Sequence, residues 1–490
     1  MTARNRKTSF TLSRHGWLSV LLFGVFLYGC TVGPNYEPPG PDALDIPVSW
    51  DAPIPHGGEV MMLANWWARF DDPVLDALIE SAQRTNPTVE EAIARVDEAR
   101  AALSGIRAAR LPSLSGTTSW TRANADNLGV QSTSFGNTVG AATIPNYAVS
   151  TGEVDASWEL DLFGAVRREV EAADATAQAG QARWHDARVV VAAEVADTYV
   201  ALRAAEALEH IWEEDLHSRQ ETQRLTTLKV GAGFVPAANS VLTSASIEEA
   251  TNELERVKAS RAIDFDRLAV LTGDSRASLI DRLIRGRGII PIPETVEVQS
   301  IPATTIEQRP DVRVAERELA ASSAGIGMAM AARLPRISLL GSISTTTYQA
   351  STRSLTLQPW SFGPSLTLPI FDGGANAARV ATARARFREA YARYQGKVRQ
   401  AVSEVEDALF RISAADRRSV AATSAANGYR DYFNLTAARY RAGAVSLLDV
   451  ETARRAAVNG ERASVDAISE RSLAWISLYK AAGGGWQPSS

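Results

Sequence analysis

The chain of 490 residues carries one unit twice, and that repeat limits what it can fold into. Shifted by 223 positions, Pro87 falls on Pro310, Val89 on Val312 and Ala92 on Ala315. The same shift lays Ala108-Ala109-Arg110-Leu111-Pro112 on Ala331-Ala332-Arg333-Leu334-Pro335. Further along the shift becomes 210, and Glu194-Val195 meets Glu404-Val405, Asp197 meets Asp407, Gly233 meets Gly443 and Gly273 meets Gly483. Each copy reads as a helix, two short strands, a very long helix, a tight turn and a second long helix. The very long segments, about 165–229 and 375–441, contain no proline. At about 1.5 Å per residue each reaches roughly 100 Å, far beyond a globular helix. In the first of them Val166, Val170, Ala173, Ala177, Trp184, Ala187 and Val191 recur at the spacing of a coiled-coil seam. Antiparallel partners are expected over about 239–272 and 446–482. The expected fold class is mixed α+β, mainly α, with a tandem internal repeat.

The strands follow from alternation with period two. Val154, Ala156, Trp158, Leu160 and Leu162 alternate with Asp155, Ser157, Glu159 and Asp161, giving a strand over about 149–162. Trp360, Phe362, Leu366, Leu368 and Ile370 do the same over about 358–370. Their partners, about 113–122 and 336–348, are rich in Ser and Thr. A half-buried sheet on a soluble domain alternates in the same way. Pro112 and Pro335 mark the change from helix to strand, since proline stops a helix but is tolerated at a strand's start. Phe163, and Phe371 with Gly373 and Gly374, mark the reverse change. No stretch after the first thirty residues is apolar for the roughly 18 residues that a spanning helix needs. If the chain spans a membrane it must do so as strands of a closed barrel. Four strands cannot close one, because about eight is the minimum, so spanning requires chains to associate. Trp158 and Trp360 are then expected at the membrane interfaces.

The N-terminus gives an address. Arg4, Arg6, Lys7 and Arg14 precede an apolar stretch from Trp17 to Tyr28, which ends Gly29-Cys30. That is a signal peptide over 1–29, too short to span a bilayer as a helix. A small residue followed directly by a cysteine resembles a bacterial lipobox, with cleavage after Gly29 and lipid on Cys30. Thr31 stands where an aspartate would imply inner-membrane retention, so the resemblance implies the outer membrane. A chance buried cysteine behind an ordinary signal peptide is the plainer alternative. As the single cysteine of the chain, Cys30 also excludes an internal disulfide and any multi-cysteine metal site. Residues 30–64 are proline-rich and expected to run extended. The first repeat is placed at 65–273, a linker at 274–302, the second repeat at 303–485 and a tail at 486–490. A formal charge of −5 gives no support to nucleic-acid binding.

Lipobox, Val32-Gly33-Pro34-Asn35-Tyr36, tandem repeat, Phe371-Asp372-Gly373-Gly374 and paired long helices together resemble TolC-type outer-membrane efflux proteins. The likeness is to the lipoprotein branch that serves resistance-nodulation-division pumps, and it covers nearly all of the chain after residue 29. It implies a homotrimer with a twelve-stranded outer-membrane β-barrel that continues into an α-helical coiled-coil tube through the periplasm of a Gram-negative bacterium. The implied partners are a periplasmic membrane-fusion adaptor, an inner-membrane pump and outer-membrane lipid. The implied function is a passive exit duct for drugs or other small molecules. In such proteins the turns between long helices form the periplasmic tip where the adaptor docks, which here means Gly231, Gly233 and Gly443. Asp449 stands at the family's constriction aspartate, with Asn239 as its repeat mate. A helix-start aspartate beside the positive end of the helix dipole is the plainer account of Asp449.

No phosphate loop, HExxH or Gly-x-Ser-x-Gly is present, so no enzyme, cofactor or metal site is expected. His185, His210 and His217 share one long helix at gaps too wide for a chelating pair. Met61-Met62 and Met328 with Met330 form no thioether ladder. Two alternatives remain: the outer duct of a type I protein-secretion system, and a periplasmic coiled-coil tethering lipoprotein without a pore.

Overall fold

The computed structural model describes residues 31–40, 44, 46, 66–123, 147–293, 306, 309–350 and 354–484. After a short 3-10 turn, Trp66–Phe70, come α1 (Pro73–Thr85), α2 (Pro87–Ala108), β1 (Ser113–Ala123) and β2 (Tyr147–Leu160). Next are α3 (Ala165–Gly231), α4 (Ala238–Thr272), α5 (Arg276–Leu283) and α6 (Pro310–Ala331). The chain ends in β3 (Arg336–Ala350), β4 (Ser354–Leu357), β5 (Trp360–Thr367), α7 (Ala375–Arg441) and α8 (Leu447–Ala481). Helices α3 and α7 have 67 residues each, α4 and α8 have 35 each, and the chain is mainly helical with one sheet. No helix among the described residues is long and apolar enough to cross a membrane.

The residues group into two compact units. The first, Met1–Glu37, Ala99–Ala177 and Glu318–Ala390, contains the sheet. Its strands are antiparallel in the order β1-β2-β3, with β4 and β5 both on the far side of β3. Where the alternation predicts a fourth strand over about 358–370, the structure has two pieces, β4 and β5, in one register against β3. Leu357 faces Thr346 and Trp360 faces Ile343. The break falls at Pro359, which has no N–H to give to the ladder, although its carbonyl still accepts from Ser344 N at 3.0 Å. The strand ends at Thr367, before Leu368-Pro369-Ile370, for the same reason. Strand β2 stops at Leu160 instead of continuing to residue 162, because Asp161 serves the next helix. Its carboxylate accepts from Val166 N at 3.2 Å and Arg167 N at 2.9 Å.

The second unit comprises Pro38–Glu98, Gln178–Arg317 and Tyr391–Ser490. Its core begins with α1, where Asp72 caps Val74 N at 2.9 Å and Leu75 N at 3.3 Å, and Pro73 takes the first helical position. Leu75, Leu78, Ile79 and Ala82 recur at helical spacing and are fully buried. Each leucine or isoleucine buried there contributes about 1.5–3 kcal/mol. They pack with Tyr199, Leu268, Leu409, Ile412 and Trp475, and Trp66 stacks on Tyr479 at 5.0 Å between ring centroids. The stretch expected as a linker, 274–302, is folded in its first part. Helix α5 buries Leu279 and Leu283 in this core, and fully buried Arg203 donates to the carbonyls of Leu283 at 3.0 Å and Arg285 at 2.5 Å. The remainder of that stretch from 294, the tail 486–490, and Gly29-Cys30 lie outside the described residues.

Candidate functional site

The register sorts the strands into two faces of opposite chemistry. One face carries Leu114, Val154, Trp158, Leu339, Ile343, Trp360, Phe362 and Leu366; the other carries Ser115, Glu153, Asp155, Ser342, Ser361 and Ser365. Through the middle of β2 the polar residues Thr151, Glu153 and Asp155 are half-buried, whereas Ser150, Gly152 and Val154 are exposed. Trp360 and Phe362 are 76% and 74% exposed. Through the middle of β2 and β3 the polar face is therefore the more enclosed one, and the apolar rows around Val154, Ile343, Trp360 and Phe362 are bare. That reverses the arrangement of a water-soluble sheet and suits a wall between lipid and an aqueous lumen. Trp360 lies in the middle of the apolar rows, beside Ile343. Trp120, which faces Ser150, lies nearer their outer edge. Half-buried Trp158 donates its indole N–H to Arg110 O at 3.0 Å.

The two corners from helix to strand use similar bonds. Leu111 N donates to Ala108 O and Leu334 N to Ala331 O, both at 2.9 Å, just before Pro112 and Pro335. At the reverse corner Asp372 accepts from Gly374 N at 2.9 Å and Asn376 N at 2.8 Å. Gly373 and Gly374 have φ of 62° and 93°, so glycine is required there. Phe371 is 91% exposed, while Phe163 is half-buried because the N-terminal segment covers it, with Val32 N donating to Phe163 O at 3.2 Å. Arg168, 3% exposed, holds that segment. It donates to Val32 O at 3.1 Å, Gly33 O at 3.2 Å, Asn35 Oδ1 at 2.9 Å and Glu171 at 2.7 Å. Gly33 lies so close to α6 that a β-carbon on it would come within 2.4 Å of Gly327 Cα. The motif Val32-Gly33-Pro34-Asn35 is thus a strap that fixes the chain beside the strand ends, beginning two residues after Cys30.

In the second unit, α3–α4 and α7–α8 turn with matching geometry. Gly233 N donates to Val230 O and Phe234 N to Lys229 O; Gly443 N donates to Tyr440 O and Ala444 N to Arg439 O. With φ of 76° and 77°, Gly233 and Gly443 close a Schellman motif. Gly231 is instead the last residue of α3 and is absent from the glycines with positive φ. The Lys229 ammonium lies 4.2 Å from the Tyr440 ring centroid, so the two turns are neighbours. Ser446 caps α8 and Asp449 closes its capping box: the Asp449 carboxylate accepts from Ser446 N at 2.8 Å and Ser446 Oγ at 2.6 Å, and its own N–H donates to Ser446 Oγ at 3.3 Å. These bonds from Ser446 hold its carboxyl below the usual range and keep it ionised. Asn239 is half-buried in the first turn of α4 and sets up no equivalent box, since the cap there is Ala237.

Residues 78–274 and 301–484 match the family described as "Outer membrane efflux protein". The chain belongs to that family. It is 32% identical to "Nodulation protein T" of Rhizobium leguminosarum bv. trifolii over 469 residues, covering 95% of this chain and 97% of that one. It is 31% identical to "Outer membrane protein OprJ" of Pseudomonas aeruginosa over 476 residues, covering 96% of each. The fold matches the solved outer-membrane channel OprN with a TM-score of 0.79 and 29% identity, covering 94% of this chain and 100% of that one. This outer membrane efflux protein is therefore an outer-membrane protein and a relative of channels, not of enzymes.

One set of residues carried no signal in the sequence. Arg219, Asp215, Glu451 and Arg454 are all buried where α3, α4, α7 and α8 meet. Arg219 donates to Asp215 at 2.7 Å, Ser246 O at 2.7 Å and Glu249 at 3.1 Å. Arg454 donates to Glu451 at 2.5 Å and Thr222 Oγ1 at 2.6 Å, and its guanidinium lies 5.5 Å from the Phe433 ring centroid. The i,i+3 and i,i+4 spacings within a helix look like an ordinary solvated face. That these residues are buried depends on the neighbouring helices, which the spacing does not reveal. No group of His, Cys, Asp and Glu among the described residues could hold a metal ion.

Proposed function

We propose that three copies join their sheets into a twelve-stranded barrel and form the passive exit duct of a tripartite efflux system. The carrying observation is the sheet whose polar face is the more enclosed one through its middle. The edges support association: β1 and β5 lie on opposite edges, and every residue of β1 but the last is exposed. Because all neighbouring strands are antiparallel, β1 of one copy and β5 of the next continue the alternation by simple rotation, which closes the ring and removes both edges. Paired helices of 67 and 35 residues fit the two halves of the tandem repeat and supply the coiled-coil tube in the periplasm.

Cys30 carries the lipid, and the strap that follows it in sequence is held by Arg168. The turns at Gly233 and Gly443 dock a periplasmic membrane-fusion adaptor, which passes substrate from an inner-membrane resistance-nodulation-division pump. That pump supplies the energy, and the duct performs no chemistry. Asp449, repeated three times about one axis, narrows the inner end and binds cations.

Purified protein in planar bilayers tests both parts. Discrete conductance steps are expected, and well-folded protein without them leaves a tether in place of a duct. Asp449→Asn removes the charge with little change of shape. It is expected to weaken block by divalent cations added from the tip side by on the order of tenfold. Unchanged block leaves Asp449 only its capping role.

A further inference from the structure

Toward the far ends of the strands the two faces exchange character. The face that is apolar lower down there carries Ser150, Thr347, Gln349 and Thr356. The opposite face, polar lower down, there carries Val149, Tyr348, Leu355 and Leu357. Tyr348 faces Val149 on one side and Leu355 on the other, so three apolar side chains share one row. Leu357, facing Thr346, adds a fourth one row below. The exchange coincides with the end of the apolar band. From Leu160 to Ser150, opposite Trp120, ten residues cover about 33 Å along the strand, or about 25 Å upright at a tilt of roughly 40°. That is the height of a lipid-facing band. Beyond it the outer face meets water and must be polar, whereas an apolar inner face has no lipid to explain it.

The same inner face is acidic just beneath. Glu153 lies opposite Ser344, two residues or about 7 Å below Leu357's partner Thr346, and Asp155 follows one row deeper. Arg336 shares this face but lies eight residues from Ser344, about 26 Å away at the other end of β3. Among the described strand residues no cation lies beside these carboxylates, and an apolar collar above them matches a molecule that has both an apolar body and a positive charge.

We propose that the outer end of the lumen is a binding site for lipophilic organic cations. Val149, Tyr348, Leu355 and Leu357 take the apolar body, and Glu153 and Asp155 take the charge. The proposal rests on the closed three-chain barrel, which places twelve apolar side chains around the mouth with six carboxylates below. It gives the duct a selective step at its exit, separate from the tip.

The test uses the full-length protein in planar bilayers, with tetraphenylphosphonium added from the outer side and tetramethylammonium as the small hydrophilic control. Tetraphenylphosphonium is expected to block the current at concentrations at least tenfold below those of tetramethylammonium. The Tyr348→Ser/Leu355→Ser/Leu357→Ser variant is expected to raise the blocking concentration tenfold or more. The single variant Tyr348→Ser serves if the triple one does not assemble, with a smaller shift in the same direction. Glu153→Gln is expected to weaken block several-fold at low salt and much less at high salt. Equal block by both cations, or block unchanged in the serine variants, overturns the site while leaving the duct in place. Absence of wild-type conductance overturns both.

Discussion

Replacing Arg454 with methionine is expected to destabilise the helical unit by about 3–5 kcal/mol, the cost of leaving a buried ionic partner uncompensated. Arg454 is 3% exposed and ties α8 to α3 through Thr222, while its Nε stands 4.0 Å from Asp215. Methionine fills much of the same length but leaves Glu451 buried without its 2.5 Å donor. The loss depends on pH. Burial pushes the Asp215 carboxyl above its ordinary 3.8, and the guanidinium groups of Arg219 and Arg454 oppose that rise. Without Arg454 it rises further. A carboxyl held above its unfolded value keeps a proton that the unfolded chain has released, so stability falls as pH rises through the folded value. The variant is therefore expected to melt well below wild type at pH 7.5 and to recover part of the difference at pH 5. Adding Glu451→Gln is expected to restore part of the loss at neutral pH. Because this cluster joins all four long helices, the same variant is expected to conduct more in bilayers. A melting curve superimposable on wild type at pH 7.5 would show that the cluster holds nothing.

What the sequence revealed depended on whether a signal was local. The 67-residue helices were legible because proline is absent and the seam recurs, both properties of a single segment. The corners were legible because Pro112, Pro335, Gly373 and Gly374 have one conformational use each. The break at Pro359 was missed because alternation continues across it, and the register survives it as well. Val32-Gly33-Pro34-Asn35 was visible as a motif but not as a strap, since its partners Arg168 and Gly327 lie about 135 and 294 positions away in a chain that brings them together only when folded. Asp449 was singled out for its position, and the structure adds a capping box with Ser446 that any charged role must share. The sequence assigns the apolar face to lipid and the Asp/Ser/Glu face to water only on the condition that the strands span a membrane. Alternation gives two faces but does not say which one the sheet curls around.

That last point yields the sharpest test, at two adjacent residues of β3. Ile343 sits between Val154 and Trp360 on the exposed apolar face, and Ser342 sits between Asp155 and Ser361 on the enclosed polar one. In a soluble sheet packed on a core, an arginine at the apolar position would be disruptive and one at the polar position would be harmless in water. In a membrane wall, Ile343→Arg puts a guanidinium against lipid near the middle of the band, at about 2–4 kcal/mol per chain. Three copies raise the cost of one barrel to roughly 6–12 kcal/mol, comparable to the whole stability of a typical domain. The variant is expected to fail to insert and to leave no trimer band in outer-membrane fractions. Ser342→Arg is expected to insert normally, because its guanidinium meets water and the Asp155 carboxylate. It adds three positive charges to the lumen and is expected to shift ion selectivity toward anions in bilayer recordings. The combination distinguishes the two architectures, since a soluble sheet predicts no change in selectivity from either residue. If Ser342→Arg fails to insert and Ile343→Arg alters selectivity, the two faces are the other way round and the lumen is lined by the tryptophans.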